Sequence, residues 1–343
     1  MLRNLVFKVL YLADKIWKRE RRVSFGNENP DKTFYIIKCG IKTIEGAGVF
    51  GMVEYVLGHI DYALKRAWIP VVDFQNINNQ YLEPAFLGKE NAWEYFFMQP
   101  MAYTLKDIEH SKNIVISIRS AWPGKNYVIQ QDLLVKNKNY LKHYKDLFVK
   151  YIKYTNSMQE YLDSEYKRIL DGKGRVLGVL CRGTDYVLHS PPSHPIQPDA
   201  IEVIKKAEVV MKEQNCSFVY IATESQENYN LFKNHFGEKL LDSGQKRFCN
   251  DDFINVRWLA QVHFNRENDR RMRGIEYCST INLLSKCTCF IGGLTTGTCA
   301  AHIQADNYEY DYVWDLGYYP PPSFWYEMKR LMKKYFFGLD TSH

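Results

Sequence analysis

Short apolar runs alternate along this chain with stretches of helical periodicity, the rhythm of an α/β protein. Phe34-Tyr35-Ile36-Ile37-Lys38-Cys39, residues 68–74 and residues 113–118 are too short for helices and rich in β-branched and aromatic side chains, so each reads as a strand. Between the first two lies the glycine loop Ile44-Glu45-Gly46-Ala47-Gly48-Val49-Phe50-Gly51, then an apolar-periodic helix over 52–67. Strand, helix and following strand make a crossover, which implies a parallel sheet. The same rhythm resumes near residue 175. Strands are expected at 176–180, 217–222, 239–242 and 287–293, with helices over 198–212, 227–236 and 274–285 and a further helix start after Thr298.

Between the two halves, residues 130–170 read as one or two polar helices rich in Lys and Tyr, and Leu170-Asp171-Gly172-Lys173-Gly174 is the natural boundary. The expected division is a first Rossmann-like domain over 1–170, a second over 175–320, and a terminal aromatic and basic helix over 321–343. Two segments break the rhythm. Residues 75–97 are irregular and rich in Asn and aromatics, suited to lining a pocket or plugging a domain rim. Residues 243–273 are charged and expected to be mobile. At the N-terminus, Leu5, Val9, Leu12 and Ile16 recur at helical spacing before Lys18-Arg19-Glu20-Arg21-Arg22. Such a helix packs on its own domain or lies on an anionic membrane.

Composition adds three constraints. A content of 15% aromatic residues suits sugar or base pockets as well as thick cores. The formal charge of +6 suits an anionic ligand or membrane surface and is too diffuse to mark a nucleic-acid protein. The eight cysteines include no C-x-x-C pair, which argues against zinc and for buried free thiols in a reducing cytoplasm. No stretch is long and apolar enough to span a membrane, and the N-terminus lacks the cleavage site of a signal peptide.

The candidate chemistry gathers where strands end. The run at 176–180 leads into Cys181-Arg182-Gly183-Thr184-Asp185, which puts a guanidinium, an unhindered backbone, a hydroxyl and a carboxylate at the carboxyl end of a buried strand. Ligands of open α/β sheets dock at that end, and an arginine fork matches a phosphate. Thr223-Glu224-Ser225 ends a second strand, and Leu294-Thr295-Thr296-Gly297-Thr298-Cys299 joins a third to a helix, a composition that cradles phosphate. The first-domain glycines fit neither the dinucleotide fingerprint nor the P-loop.

At these residues the chain resembles the fucosyltransferase superfamily of the GT-B fold, in which two Rossmann-like domains face each other across a cleft. It looks most like core α1,6-fucosyltransferases and their bacterial chitooligosaccharide counterparts. The likeness lies in GAGVFGMVEYVLGHIDYALKRAWIPVVDF in the first half and then VLGVLCRGTDYV, HPIQPDAIEVI, FVYIATES and RGIEYCSTINLLSKCTCFIGGLTTGTCAAHI, in that family's order. The resemblance implies an inverting, metal-independent transfer of fucose or a related sugar from a GDP-sugar, the donor substrate, to a glycan or lipid-linked glycan, with no other cofactor. It implies that Arg182 grips the donor diphosphate within a loop that includes Gly183, that Glu224 serves the donor nucleotide, and that Thr295 and Thr296 stand near the phosphates. The α1,6 enzymes carry a second arginine where this chain has Gly183, and their acidic base falls near Ser190. For the acceptor proton, Glu45 is the first candidate, because its Glu-Gly pair looks like one in protein O-fucosyltransferases. Asp185 is second, and His189 and His194 follow. The alternatives are a non-catalytic nucleotide- or sugar-binding module on the same fold, or a transferase using another nucleotide. The expected location is the cytoplasm, peripheral at the inner face of the membrane if the N-terminal helix touches it.

Overall fold

The computed structural model describes residues 20–38, 47–117, 129–256 and 258–320. The expected N-terminal helix, the Glu45-Gly46 part of the glycine loop and the terminal helix over 321–343 lie outside those residues.

Strands β1 (Arg21–Val23), β2 (Glu28–Ile37), β3 (Ile69–Val72) and β4 (Ser111–Ile116) form one sheet in the order β1-β4-β2-β3. Strand β2 runs parallel to β3 and β4, and β1 adds an antiparallel edge. The period of two along β2 assigns its faces. Phe34 and Ile36 enter a small cluster with Val71, Ile108 and Ile114, whereas Tyr35 and Ile37 enter the main core. Both faces are therefore buried, which explains the unbroken apolar run. Helix α1 (Val49–Leu64) begins after Gly48, three residues before the expected start. The basic pair Arg21-Arg22, read as the tail of an N-terminal helix, belongs instead to β1.

Three helices follow, α2 (Gln131–Lys136), α3 (Lys138–Tyr151) and α4 (Asn156–Ile169), where one or two were expected. The Asn137 side chain caps α3 and divides it from α2, and Thr155 caps α4. The second sheet contains β5 (Val176–Leu180), β6 (Phe218–Ala222), β7 (Leu240–Leu241), β8 (Cys289–Gly293) and β9 (Tyr310–Trp314), all parallel, in the order β7-β6-β5-β8-β9. A short helix α5 (Thr184–Leu188) stands inside the Arg182 loop. Helices α6 (Ala200–Glu213) and α7 (Gln226–Phe236) cover one face of this sheet. Helices α8 (Asp269–Ser285) and α9 (Thr296–Gln304) cover the other.

That second face is shared. One apolar core takes in Tyr35, Ile37 and Val72 from the first sheet, Val176, Leu180, Tyr220 and Phe290 from the second, and the helices between them. Helix α8 packs on α1 and α4, and α9 packs on α1, α2 and α3. Residues 75–97 form 3-10 turns whose Trp93, Phe96 and Phe97 are buried in the same core. Phe96 lies so near Gly274 of α8 that a Cβ there would stand 2.2 Å from the ring. Of the two roles expected for the segment, this is the plug. Arg270 of α8 donates to the Leu82 carbonyl at 3.1 Å and pairs with Glu83 at 3.3 Å, which ties the halves again.

Within residues 243–273, expected to be charged and mobile, several side chains have defined partners. Arg266 pairs with Asp269 and makes a forked contact to Glu276 at 2.6 and 2.9 Å, and Phe248 stacks on Phe264 with centroids 4.6 Å apart. Arg273 donates to the carbonyls of Val262 and Leu259. These contacts give Arg266 and Arg273 partners while Lys246, Asp251, Asp252 and Glu267 stay exposed, and α8 begins five residues early. Among the described residues, no helix is long and apolar enough to cross a membrane. Six of the seven described cysteines are buried, all seven are free thiols, and Cys249 is exposed.

Candidate functional site

Counted within the second sheet alone, the strand order is 3-2-1-4-5, with the reversal between β5 and β8. Crossovers leave that point toward opposite faces and open a crevice at the strands' carboxyl ends, where ligands of doubly wound sheets bind. The loops flanking it are those that carry Arg182 and Thr295.

The Arg182 loop is held by two carboxylates. Arg182 Nη2 donates to Asp185 Oδ1 at 3.0 Å, and Nη1 lies 3.4 Å from Glu224 Oε2. The guanidinium also lies over the Tyr186 ring, 4.6 Å from its centroid. Burial opposes its charge, but Glu224 and Asp185 outweigh burial and hold Arg182 protonated above its ordinary range. The side chain remains 22% exposed, so a ligand can reach it. Glu224 Oε1 accepts from the Gly183 N–H and from the Thr184 hydroxyl, both at 2.9 Å. Asp185 Oδ2 accepts from the Leu259 N–H at 3.1 Å, which pins the 258–262 segment to the loop.

Two backbone features mark this loop as specialised. Thr184 has φ +49°, an expensive conformation for a β-branched residue, and it persists because Glu224 and Asp185 hold the hydroxyl. Gly183 is packed shut. A Cβ there would stand 2.7 Å from Ser225 Cβ and 2.9 Å from Asn228 Nδ2. The tip of α7 therefore leaves no room for a side chain at this position.

At the other rim, the Thr295 hydroxyl caps α9 by accepting from the Thr298 N–H at 3.1 Å. Thr296 occupies the first helical position and is half-buried, with Tyr277 of α8 as its side-chain partner. The Tyr277 hydroxyl also lies against Gly297, 2.9 Å from where a Cβ would be. Burial raises the Tyr277 pKa, against the opposing pull of the Arg182 cation. On its other side Tyr277 meets the first half. Phe50 packs edge-on with centroids 5.5 Å apart, and a Cβ on Gly48 would touch the Tyr277 ring at 3.5 Å. Tyr277 thus connects the start of α1 to the Arg182 and Thr296 rims.

Arg182, Gly183, Asp185 and Glu224 form one network, with Thr295 and Thr296 across the crevice; Glu45 lies outside the described residues. His194 packs edge-on against Tyr186, and its Nδ1 lies 3.0 Å from the Pro192 carbonyl. His189 ends α5 with Nε2 buried and unpartnered among the described residues. Tyr277 and Asn228 were missed, since each reads as an ordinary helix residue. Glu54 was missed too, although a single carboxylate within VFGMVEYVLGHI is a legible oddity. Among the described residues, no group of three or more His, Cys, Asp or Glu could hold a metal ion.

No protein-family model matches the sequence, and no curated protein does. Among solved structures, the chain is similar to the fucosyltransferase NodZ from Bradyrhizobium, with a TM-score of 0.46 and 13% identity over 80% of this chain and 94% of that one. It is also similar to a mutant of Arabidopsis thaliana FUT1 in complex with GDP, at TM-score 0.48 and 9% identity over 85% and 71% of the two chains. A third similar structure is POFUT1 in complex with GDP, at TM-score 0.47 and 10% identity over 82% and 98%.

Proposed function

We propose that this protein is an inverting, metal-independent glycosyltransferase of the GT-B type that moves fucose or a related sugar from a GDP-sugar to a glycan or lipid-linked glycan. The observation that carries this proposal is the strained Arg182 loop facing the hydroxyl-rich start of α9 across the switch point of a doubly wound sheet. In the reaction, the acceptor oxygen attacks the anomeric carbon, and the bond to the diphosphate breaks with its electron pair going to the phosphate oxygen. Arg182 and the open N–H groups at the start of α9 meet the charge that develops there. Asp185 and Glu224 act by holding the loop, since both carboxylates already carry hydrogen bonds from it.

The acceptor proton goes to Glu45 on this proposal, with Asp185 as the second candidate. Support for Glu45 is its place in the chain, three residues before Gly48, which faces Tyr277. We place the protein in the cytoplasm, with the N-terminal helix touching an anionic membrane surface. Flotation with anionic liposomes tests that contact. A full-length chain that stays at the bottom, as one lacking residues 1–22 should, removes it.

A second reading, a binding module without turnover, is favoured by one observation: Arg182 is already engaged by two carboxylates and no second arginine fits beside it. Calorimetric titration with GDP, paired with a GDP-fucose hydrolysis and transfer assay in the presence of EDTA, separates the two. Binding with EDTA-resistant turnover is the expected result. Binding without turnover supports the module, and an absence of binding removes both.

A further inference from the structure

Helix α1 buries a carboxyl group that neither the core nor the ion pairs account for. Glu54 Oε2 accepts from the Gln131 amide at 3.0 Å, while Oε1 is buried with no partner among the described residues. A buried polar oxygen without a partner is costly, and a site that retains one has a use for it. The group lies between the halves. It acts on Cys299 of α9 and on Tyr186 of α5, whose ring carries the Arg182 guanidinium.

From this placement we infer that Glu54 works as a neutral carboxylic acid whose O–H donates a hydrogen bond to an oxygen of the bound nucleotide sugar. The inference rests on the donor site proposed above. Its chemistry follows from the surroundings. Cys299 on α9 and Tyr186 on α5 lie within electrostatic reach of Glu54, Asp132 on α2 acts on the same Cys299, and Tyr277 on α8 interacts with Tyr186. His143 on α3 is occupied with Asp61, farther along α1, at 3.1 Å. None of these offers Glu54 a cation, and burial pushes its carboxyl up to about 8, against the smaller opposing effect of Gln131. With Oε2 already accepting from Gln131, a proton on Oε1 has nothing described to donate to. A phosphate or hydroxyl oxygen of a ligand completes the pair as acceptor, whereas an ionised Glu54 would repel a phosphate and could only accept from a hydroxyl, with no proton left to donate.

The test measures dissociation constants of GDP and of GDP-fucose by calorimetry from pH 6.5 to 9.5, for the wild type, Glu54→Gln and Glu54→Leu. The wild type should lose affinity above about pH 8, approaching tenfold for each further pH unit. Glu54→Gln can still donate from its amide, so it should bind within about threefold of the wild type at pH 6.5 and lose the pH-dependent fall. Glu54→Leu should bind about tenfold more weakly or worse at pH 6.5. A fall confined to GDP-fucose assigns the contact to the sugar, and a fall shared with GDP assigns it to the phosphates. If Glu54→Gln keeps the wild-type slope, the inference is overturned while the donor site stands. Failure of both ligands to bind the wild type at any pH overturns the site itself. Should Glu54→Leu fail to fold, the Glu54→Gln profile decides alone.

Discussion

Replacing Gly183 with alanine probes the packing that sets this loop apart. A Cβ at 183 would meet Ser225 Cβ at 2.7 Å and Asn228 Nδ2 at 2.9 Å. The amide is the far end of a side chain, held by weak contacts to Cys181 Sγ at 3.4 Å and the Arg182 carbonyl at 3.5 Å, and can move aside. Ser225 Cβ cannot, because Ser225 caps α7, its hydroxyl accepting from the Asn228 N–H at 3.2 Å. The loop has to shift instead, at an overpacking cost of about 1–3 kcal/mol. Ser225→Gly removes the obstructing carbon and, since glycine is a tolerable cap, costs only a few tenths of a kcal/mol, on the order of 0.3. The double variant should therefore be about as stable as Ser225→Gly alone, giving a coupling energy of about 1–3 kcal/mol. Urea denaturation of the four proteins measures it, and GDP titration should show weakened binding only in Gly183→Ala. Additive stabilities would refute the account of how Gly183 is packed against Ser225.

Arg182→Ala should weaken GDP binding by roughly 2–4 kcal/mol through loss of a charge-assisted contact, and unchanged affinity in a folded variant would remove Arg182 from the donor site. Glu45→Gln should leave GDP affinity intact while transfer falls roughly 10²–10⁴-fold, whereas Asp185→Asn should weaken GDP binding by loosening Arg182; a reversed pattern would exchange their roles. Stability should also depend on pH through Glu54, whose carboxyl is raised by burial from 4.5 to about 8. Because the native state keeps the proton longer than the unfolded chain, its contribution is complete below about pH 4.5 and is lost as pH rises to about 8. The loss is on the order of 5 kcal/mol across that window, and Glu54→Gln should flatten it in urea titrations at successive pH values. An unchanged profile would place the carboxyl in water.

The strand ends were readable because their chemistry interrupts apolar runs. Val176-Leu177-Gly178-Val179-Leu180 gives way at once to Arg182, Thr184 and Asp185, and the change marks the sheet's edge. What the network does with those residues was not readable. Glu224 is 42 positions from Arg182 along the chain, and only the parallel pairing of β5 with β6 brings its carboxylate beneath the loop. Gly183 looked like a lost cation until Ser225 and Asn228 were seen to occupy its space. Residues 243–273 show the opposite failure. Local charge concealed these contacts because the partners of Arg266 and Arg273 are matched in three dimensions. Strand β9 escaped notice because Tyr310, Asp311 and Tyr312 alternate weakly at an edge, where no buried run announces a strand.

The contact of Gly274 with Phe96 has a consequence for how this molecule comes apart. Two sheets with separate cores would melt in two steps, and either could be made alone or exchanged for a counterpart. Here the inner faces of both sheets, α1 and α8 belong to one apolar interior, and a residue from the plug of the first half presses on the backbone of a helix from the second. Neither half can open without exposing the other's packing, so unfolding becomes a joint event. Any change at residue 274 larger than hydrogen therefore acts on both halves at once, as a wedge driven between them.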